Sequence, residues 1–137
     1  MAKSLFYLLI CTFIITSCCI DQRGDYEFEY KPSKVTVKEY RNYSGITSVD
    51  WGGNNLTVDG LILGTCSDPN LKLLGDYKVN GSLITLTVSE TESTYKCFGV
   101  YDIRFKIRNL KRDNYTIELY KTEDTGIFLK GRKEISA

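Results

Sequence analysis

Cysteine is the residue type with the most chemistry to offer in this chain of 137 residues, and histidine offers none, for there are five cysteines and no histidine. Without an imidazole the chain can build neither a serine–histidine nor a cysteine–histidine nucleophile, and no histidine-ligated zinc or haem. Carboxylates remain as acid–base groups. They are scattered through turns and strand faces, however, and the sequence alone places no pair of them in a cleft. The expectation is a protein that is not an enzyme and that uses no cofactor and no metal.

The cysteines fall into two groups. Cys18 and Cys19 follow an apolar run from Leu5 to Ile15 that itself contains Cys11, and Cys66 and Cys97 sit in the body of the chain. Two sulfurs cannot fill a zinc shell. In an exported protein the expected state of Cys66 and Cys97 is a structural disulfide. Closing a loop of about 30 residues would stabilise the fold by roughly 3–4 kcal/mol on the chain-entropy model.

Three other clusters have binding chemistry. Trp51, flanked by Asp50 and by Asn54 and Asn55, has the aromatic plane, amides and carboxylate of a sugar-stacking loop, or else it is a core or collar residue. Arg104, Lys106 and Arg108 alternate along one strand and share a face, with Lys111 and Arg112 in the next turn. That stripe would clamp an anionic glycan or a partner's acidic patch, or it is a solvated face neutralised by Glu118 across a strand pair. Tyr26, Phe28 and Tyr30 form an aromatic edge strand that either covers the core or presents a sticky surface. Arg23-Gly24-Asp25 is read as three polar residues of a leader, not as an adhesion motif.

At the N-terminus Lys3 supplies a positive charge ahead of an apolar run that is too short for a spanning helix, which needs about 20 residues. The tetrapeptide Ile15-Thr16-Ser17-Cys18 that ends this run resembles the lipobox of bacterial lipoproteins; the alternative is a secreted protein in which Cys18 is incidental. The resemblance implies cleavage before Cys18 and a lipid on that cysteine, and hence attachment to a membrane. The absence of aspartate at position 19 implies the outer membrane. Lipidated N-termini of this type carry more than one acyl chain, which matters because a single short chain anchors only marginally. Four Asn-x-Ser/Thr sequons, at Asn42, Asn55, Asn80 and Asn114, would suggest N-glycans in a eukaryotic secreted protein; beside a lipobox they are turn-rich composition.

The expected organisation is a helical signal peptide over residues 1–17, a lipidated tether over 18–33 and a single domain over 34–137. Loss of residues 1–17 removes Lys3 and no acid, so 18 basic residues against 17 acidic become 17 against 17. That balance argues against a nucleic-acid partner.

The elements that must position these residues are strands. Apolar and polar residues alternate through Tyr26–Tyr30, Val35–Lys38, Val49–Trp51, Leu56–Val58, Ile84–Val88, Tyr101–Arg108 and Tyr115–Tyr120, with a last strand over Ile127–Arg132, and no window after the signal peptide predicts a helix. Turn signals separate them, and Asn80-Gly81 predicts a type I′ hairpin. Seven to nine short strands, each with one apolar face, predict an all-β antiparallel sandwich, with a small β-barrel as the alternative.

Residues Ile107 to Ile117 resemble the tyrosine corner of fibronectin type III and other immunoglobulin-like sandwiches. Leu110 matches the leucine that ends one strand, and Tyr115 the tyrosine that opens the next with its hydroxyl bonded back to the turn. The resemblance implies an immunoglobulin-like sandwich. The functional expectation is a monomeric outer-membrane lipoprotein acting as a binding or accessory module for an envelope protein or glycan. The alternatives are an inhibitor of a host or competitor hydrolase, working through the turn at Asp68–Asn70, and a structural or adhesion protein.

Overall fold

Period-two alternation sorts the side chains. In the strand from Phe98 to Ile107, Tyr101, Ile103, Phe105 and Ile107 are buried while Arg104 is exposed, as expected when successive residues point to opposite faces. The computed structural model describes residues 26–43, 45–65, 71–91 and 97–137. The segment expected to be a signal peptide, the lipobox-like tetrapeptide with Cys18, Cys66 and the turn at Asp68–Asn70 lie outside the described residues.

The elements are β1 (Tyr26–Pro32), α1 (Val37–Tyr40), β2 (Ile46–Gly52), β3 (Asn55–Thr65), β4 (Leu73–Asn80), β5 (Leu83–Glu90), β6 (Phe98–Ile107), β7 (Tyr115–Glu123) and β8 (Gly126–Ile135). They form two four-stranded sheets, in the orders β1-β6-β3-β2 and β4-β5-β7-β8. The described strands thus make a sandwich, not a barrel. Its core is the set of inward residues of both sheets, with Leu56, Ile62, Ile84, Leu86, Phe105 and Ile117 fully inaccessible.

One strand pair departs from the antiparallel expectation. β5 and β7 run parallel, Leu83 beside Thr116 through Val88 beside Lys121. The cause is the route of the chain: it leaves β5, crosses to the other sheet as β6, and returns as β7. Parallel neighbours need such a crossover, and here the crossing element is itself a strand.

Three local expectations are corrected. Residues 26–32 belong to the sheet as edge strand β1, paired with β6 from Tyr26–Ile107 to Pro32–Tyr101, so the stretch read as tether is ordered sheet from Tyr26 onward. The segment around Val35 and Val37 is not a strand but leads into the single turn α1. There Thr36 caps the turn by accepting from the Glu39 N–H, while the Glu39 carboxylate accepts from the Thr36 N–H at 2.9 Å. The signal was Thr36-x-x-Glu39, a capping box that local hydrogen bonds favour over extension. Finally, Asn80 pairs with Leu83, so the hairpin residues are Gly81 and Ser82, and Gly81 alone of these has a positive φ, at 59°. A glycine in the first central position fits type II′, not type I′.

Both open sides of the sandwich are laced. On one, the Phe28 ring of β1 covers Gly75 of β4, where a Cβ would stand 2.3 Å from the ring, and the Tyr26 hydroxyl donates to the Gly75 carbonyl at 3.0 Å. On the other, Gly45 donates to the Lys130 carbonyl at 3.0 Å and accepts from the Leu61 N–H at 2.8 Å.

Candidate functional site

The residues expected to bind do not form one surface. Trp51 sits beside Leu56, which sits beside Ile107, so it lies on the inward parity of its sheet and packs half-buried against the core. Arg104, Lys106 and Arg108 lie on the opposite parity, facing out. Alternation therefore separates the two halves of the expected ligand surface.

Trp51 is engaged on several sides. Its indole N–H donates to the Ser136 carbonyl at 3.1 Å, its ring lies 6.1 Å from that of Tyr115, and the Arg112 guanidinium stands 5.7 Å from its centroid. Tyr115 in turn donates its hydroxyl to the Lys111 carbonyl at 2.7 Å, and Leu110 packs half-buried against the core. This is the bond pattern of a tyrosine corner, reached where the chain crosses from β6 to β7 between the sheets. Asn109, at φ 53°, turns the chain there. Trp51 closes this end of the sandwich as a collar.

The basic stripe is matched by acids, but not by the one expected. Glu118 lies on β7 in the other sheet, beside Arg132, and accepts from the Tyr120 hydroxyl at 2.9 Å. The partners of the stripe come from the strands on either side of β6. Arg104 binds Asp59 of β3 through Nε at 2.7 Å and Nη2 at 3.2 Å, which holds its guanidinium above its ordinary pKa. Glu29 flanks it from β1, Lys106 stands beside Glu27, and Arg108 is ion-paired to Glu27. Consecutive strands β6 and β7 are not neighbours, because the corner sends them to different sheets.

Above this outer face is a cleft of about 480 Å³, lined by Glu29, Tyr30, Lys31, Tyr43, Asp102 and Arg104 over a floor that includes Gly60 and Leu61. Leu61 has outward parity yet is 5% exposed, because the connection through α1 roofs that part of β3. With Asp59 as a third carboxylate, two tyrosines, three carboxylates and two cations make the cleft polar and mixed in sign. The sequence reading missed it, since its members come from β1, β3, β6 and the connection before β2. Its size falls within the range of small-molecule sites.

A second group missed by sequence is the buried pair at the other end of the sandwich. Lys121 is 7% exposed, and its Nζ donates to Glu90 Oε1 at 2.5 Å. Glu90 Oε2 accepts from the Thr65 N–H at 3.2 Å and hydroxyl at 2.9 Å, and Tyr101 donates to the Thr65 carbonyl at 2.6 Å. Burial alone would raise the Glu90 carboxyl; Lys121 and the Thr65 donors outweigh it and hold the group below its ordinary value. The signal was parity, for Lys121 continues the inward series Tyr115, Ile117, Leu119. Lys121 and Glu90 belong to one sheet, and the bonds of Glu90 to Thr65 tie that sheet to the other.

Cys97 is disulfide-bonded. Every β3–β6 pair keeps the register of Leu56–Ile107 down to Thr65–Phe98, which brings the end of β3 beside the start of β6. Among the described residues no group of histidine, cysteine, aspartate or glutamate is placed to hold a metal, and no helix is long and apolar enough to cross a membrane. No family model matches the chain, and no curated protein and no solved structure matches it either.

Proposed function

We propose that this protein is a lipid-anchored, non-catalytic binding module of the outer membrane, which offers its ligand the cleft on the outer face of the β1-β6-β3-β2 sheet. The anchor rests on the lipobox-like Ile15-Thr16-Ser17-Cys18, and the immunoglobulin-like kinship on the Tyr115–Lys111 bond. The single observation that carries the binding role is the cleft itself, where Tyr30 and Tyr43 stand beside Glu29, Lys31 and Asp102. Aromatic faces with carboxylate acceptors and an ammonium donor suit a polyhydroxylated ligand, a neutral or amino-bearing glycan of the envelope. A structural Cys66–Cys97 bridge is supported by the oxidised state of Cys97 and by the strand register.

The test is retention of the intact lipidated protein on immobilised envelope glycans. Tyr43→Ala and Asp102→Asn should each lower retention severalfold, whereas Lys106→Ala, outside the cleft, should leave it unchanged. Equal retention by all four proteins, or none by any, refutes the cleft as the ligand seat. Mass spectrometry of residue 18 addresses the anchor separately, and an unmodified thiol there refutes it.

A further inference from the structure

Two places in the chain put an aspartate or asparagine directly before a glycine, Asp59-Gly60 and Asn80-Gly81. Each pair has the chemistry to close on itself, because the glycine nitrogen can attack the side-chain carbonyl carbon of the residue before it and form a cyclic succinimide. Glycine suits that step, having no Cβ to crowd its nitrogen. The fold treats the two pairs differently. Asp59 and Gly60 lie inside β3, between β6 and β2. Gly60 is buried and pairs with Ile103 on one side and Ile46 on the other. A Cβ there would stand 2.4 Å from the Gly45 carbonyl oxygen, so the site has no spare room. Both Asp59 oxygens are held as well: Oδ1 accepts from Arg104 Nε at 2.7 Å, and Oδ2 accepts from Arg104 Nη2 and from the Ser48 hydroxyl, each at 3.2 Å.

Asn80 and Gly81 sit instead at the tip of the β4–β5 hairpin, both exposed, where Asn80 ends an edge strand. Nothing stands within 4 Å of the place a Cβ would take on Gly81. Among the described residues no backbone carbonyl accepts from the Gly81 N–H. The amide oxygens of Asn55 and Asn114 accept from the Asn109 and Ala137 N–H groups at 3.4 and 3.0 Å; among the described residues no such bond holds the Asn80 carboxamide. Ring closure needs rotation about the Cα–C bond of the first residue. A hairpin tip permits it, since tips open with free energies near zero, whereas the interior of a central strand opens only together with much of its sheet.

We propose that Asn80-Gly81 is a self-modification site at which Asn80 deamidates to aspartate and isoaspartate, while the sheet protects Asp59-Gly60 from the corresponding isomerisation. The Gly81 nitrogen bonds to Asn80 Cγ, the Cγ–Nδ2 bond breaks, and the Gly81 amide proton leaves with Nδ2 as ammonia. Water then opens the ring, with no change of oxidation state. Opening at Cγ restores the ordinary main chain with a carboxylate at position 80. Opening at the other ring carbonyl routes the main chain through Cβ and Cγ of residue 80. Both products carry a new negative charge at the tip. The second also adds a main-chain carbon ahead of Gly81, which undoes the Asn80–Leu83 match that defines the tight turn. The inference is independent of the cleft and of the anchor.

The experiment incubates the full-length chain in detergent under warm, mildly alkaline conditions. Both sites are followed by peptide mapping with mass spectrometry, which separates aspartate from isoaspartate products. Synthetic peptides of residues 55–64 and 76–85 set the unrestrained rates. In the folded chain Asn80 should convert within about threefold of its peptide's rate, and Asp59 should isomerise at least about tenfold more slowly than its own peptide, because one site opens freely and the other only with the sheet. Unfolding the chain in denaturant should bring Asp59 up to its peptide's rate. An Asn80 retarded in the folded chain as strongly as Asp59 overturns the proposal. So does an Asp59 that isomerises in the folded chain at its peptide's rate, since the fold would then not discriminate between the two pairs.

Discussion

The two ends of the sandwich are closed by opposite chemistries. At the end where β2 finishes and β7 begins, the collar is neutral and aromatic: Trp51, Tyr115 and Leu110, with bonds to the Ser136 and Lys111 carbonyls. At the end where β5 finishes and β6 begins, the clamp is ionic: Lys121 and Glu90, joined through Thr65 to Tyr101. The collar gains from area removed from water and from bonds that lose little when weakened. The clamp has large opposing terms, since a buried ion pair gains little over an apolar pair, while half of one is costly. An end built on packing should degrade gradually under substitution. An end built on charge should fail when one partner goes.

The strongest way to break that contrast is Lys121→Ala, which strands the Glu90 carboxylate and should cost about 3–4 kcal/mol in denaturant unfolding. Lys121→Met combined with Glu90→Leu should recover most of that loss; a double variant as unstable as the single one would show that the clamp adds net stability. At the collar, Trp51→Ala should cost about 2–3 kcal/mol, below the usual penalty for a fully buried tryptophan because the ring is half-exposed.

Acidity and alkalinity sharpen the comparison further. Glu90 is held below its ordinary value of 4.5; such a carboxyl contributes fully above that value, and the contribution is lost as the pH falls through the folded pKa. Tyr115 is raised above 10.0, first by burial and then by Asp113. Its contribution is complete below pH 10 and is lost as the pH rises through the folded pKa. Thermal melts should therefore show Glu90→Gln flattening the acid limb and Tyr115→Phe flattening the alkaline limb, with Tyr115→Phe leaving the acid limb unchanged. Tyr40 and Tyr120 are also raised, so Tyr115→Phe should remove only part of the alkaline fall. At neutral pH, Tyr115→Phe should cost about 1 kcal/mol, one net hydrogen bond. The smallest effect is Arg112→Ala, about 0.5 kcal/mol for a cation over an accessible ring; a loss as large as that of Trp51→Ala would mean that Arg112 is integral to the collar.

Much of the sandwich was legible because period-two patterning is a local property that each strand carries by itself. Tyr101 to Ile107 and Tyr115 to Leu119 could be assigned inward faces with no knowledge of their neighbours, and the Leu110–Tyr115 turn could be recognised because its bond spans four residues. The candidate site was hardly legible. Its lining joins Glu29, Asp102 and Arg104 with Tyr43 from a connection that reads as a strand. For Trp51 the sequence offered a ligand plane or a collar residue and could not choose between them, because it reveals an aromatic flanked by amides but not the Ser136 carbonyl and the Arg112 guanidinium that engage the ring.

Composition and alternation alone determined that this chain builds β-sheets with one dry face, that it lacks every histidine-dependent chemistry, and which side of each strand is wet. They did so because side-chain parity and residue chemistry need no information from elsewhere in the chain. Tertiary structure decided which strands became neighbours: that β5 lies parallel to β7, that Arg104 meets Asp59 instead of Glu118, and that Lys121 is buried against Glu90. Those outcomes depend on the path of the chain between two sheets, and pairing across such a path is settled only when both sheets bury a common core.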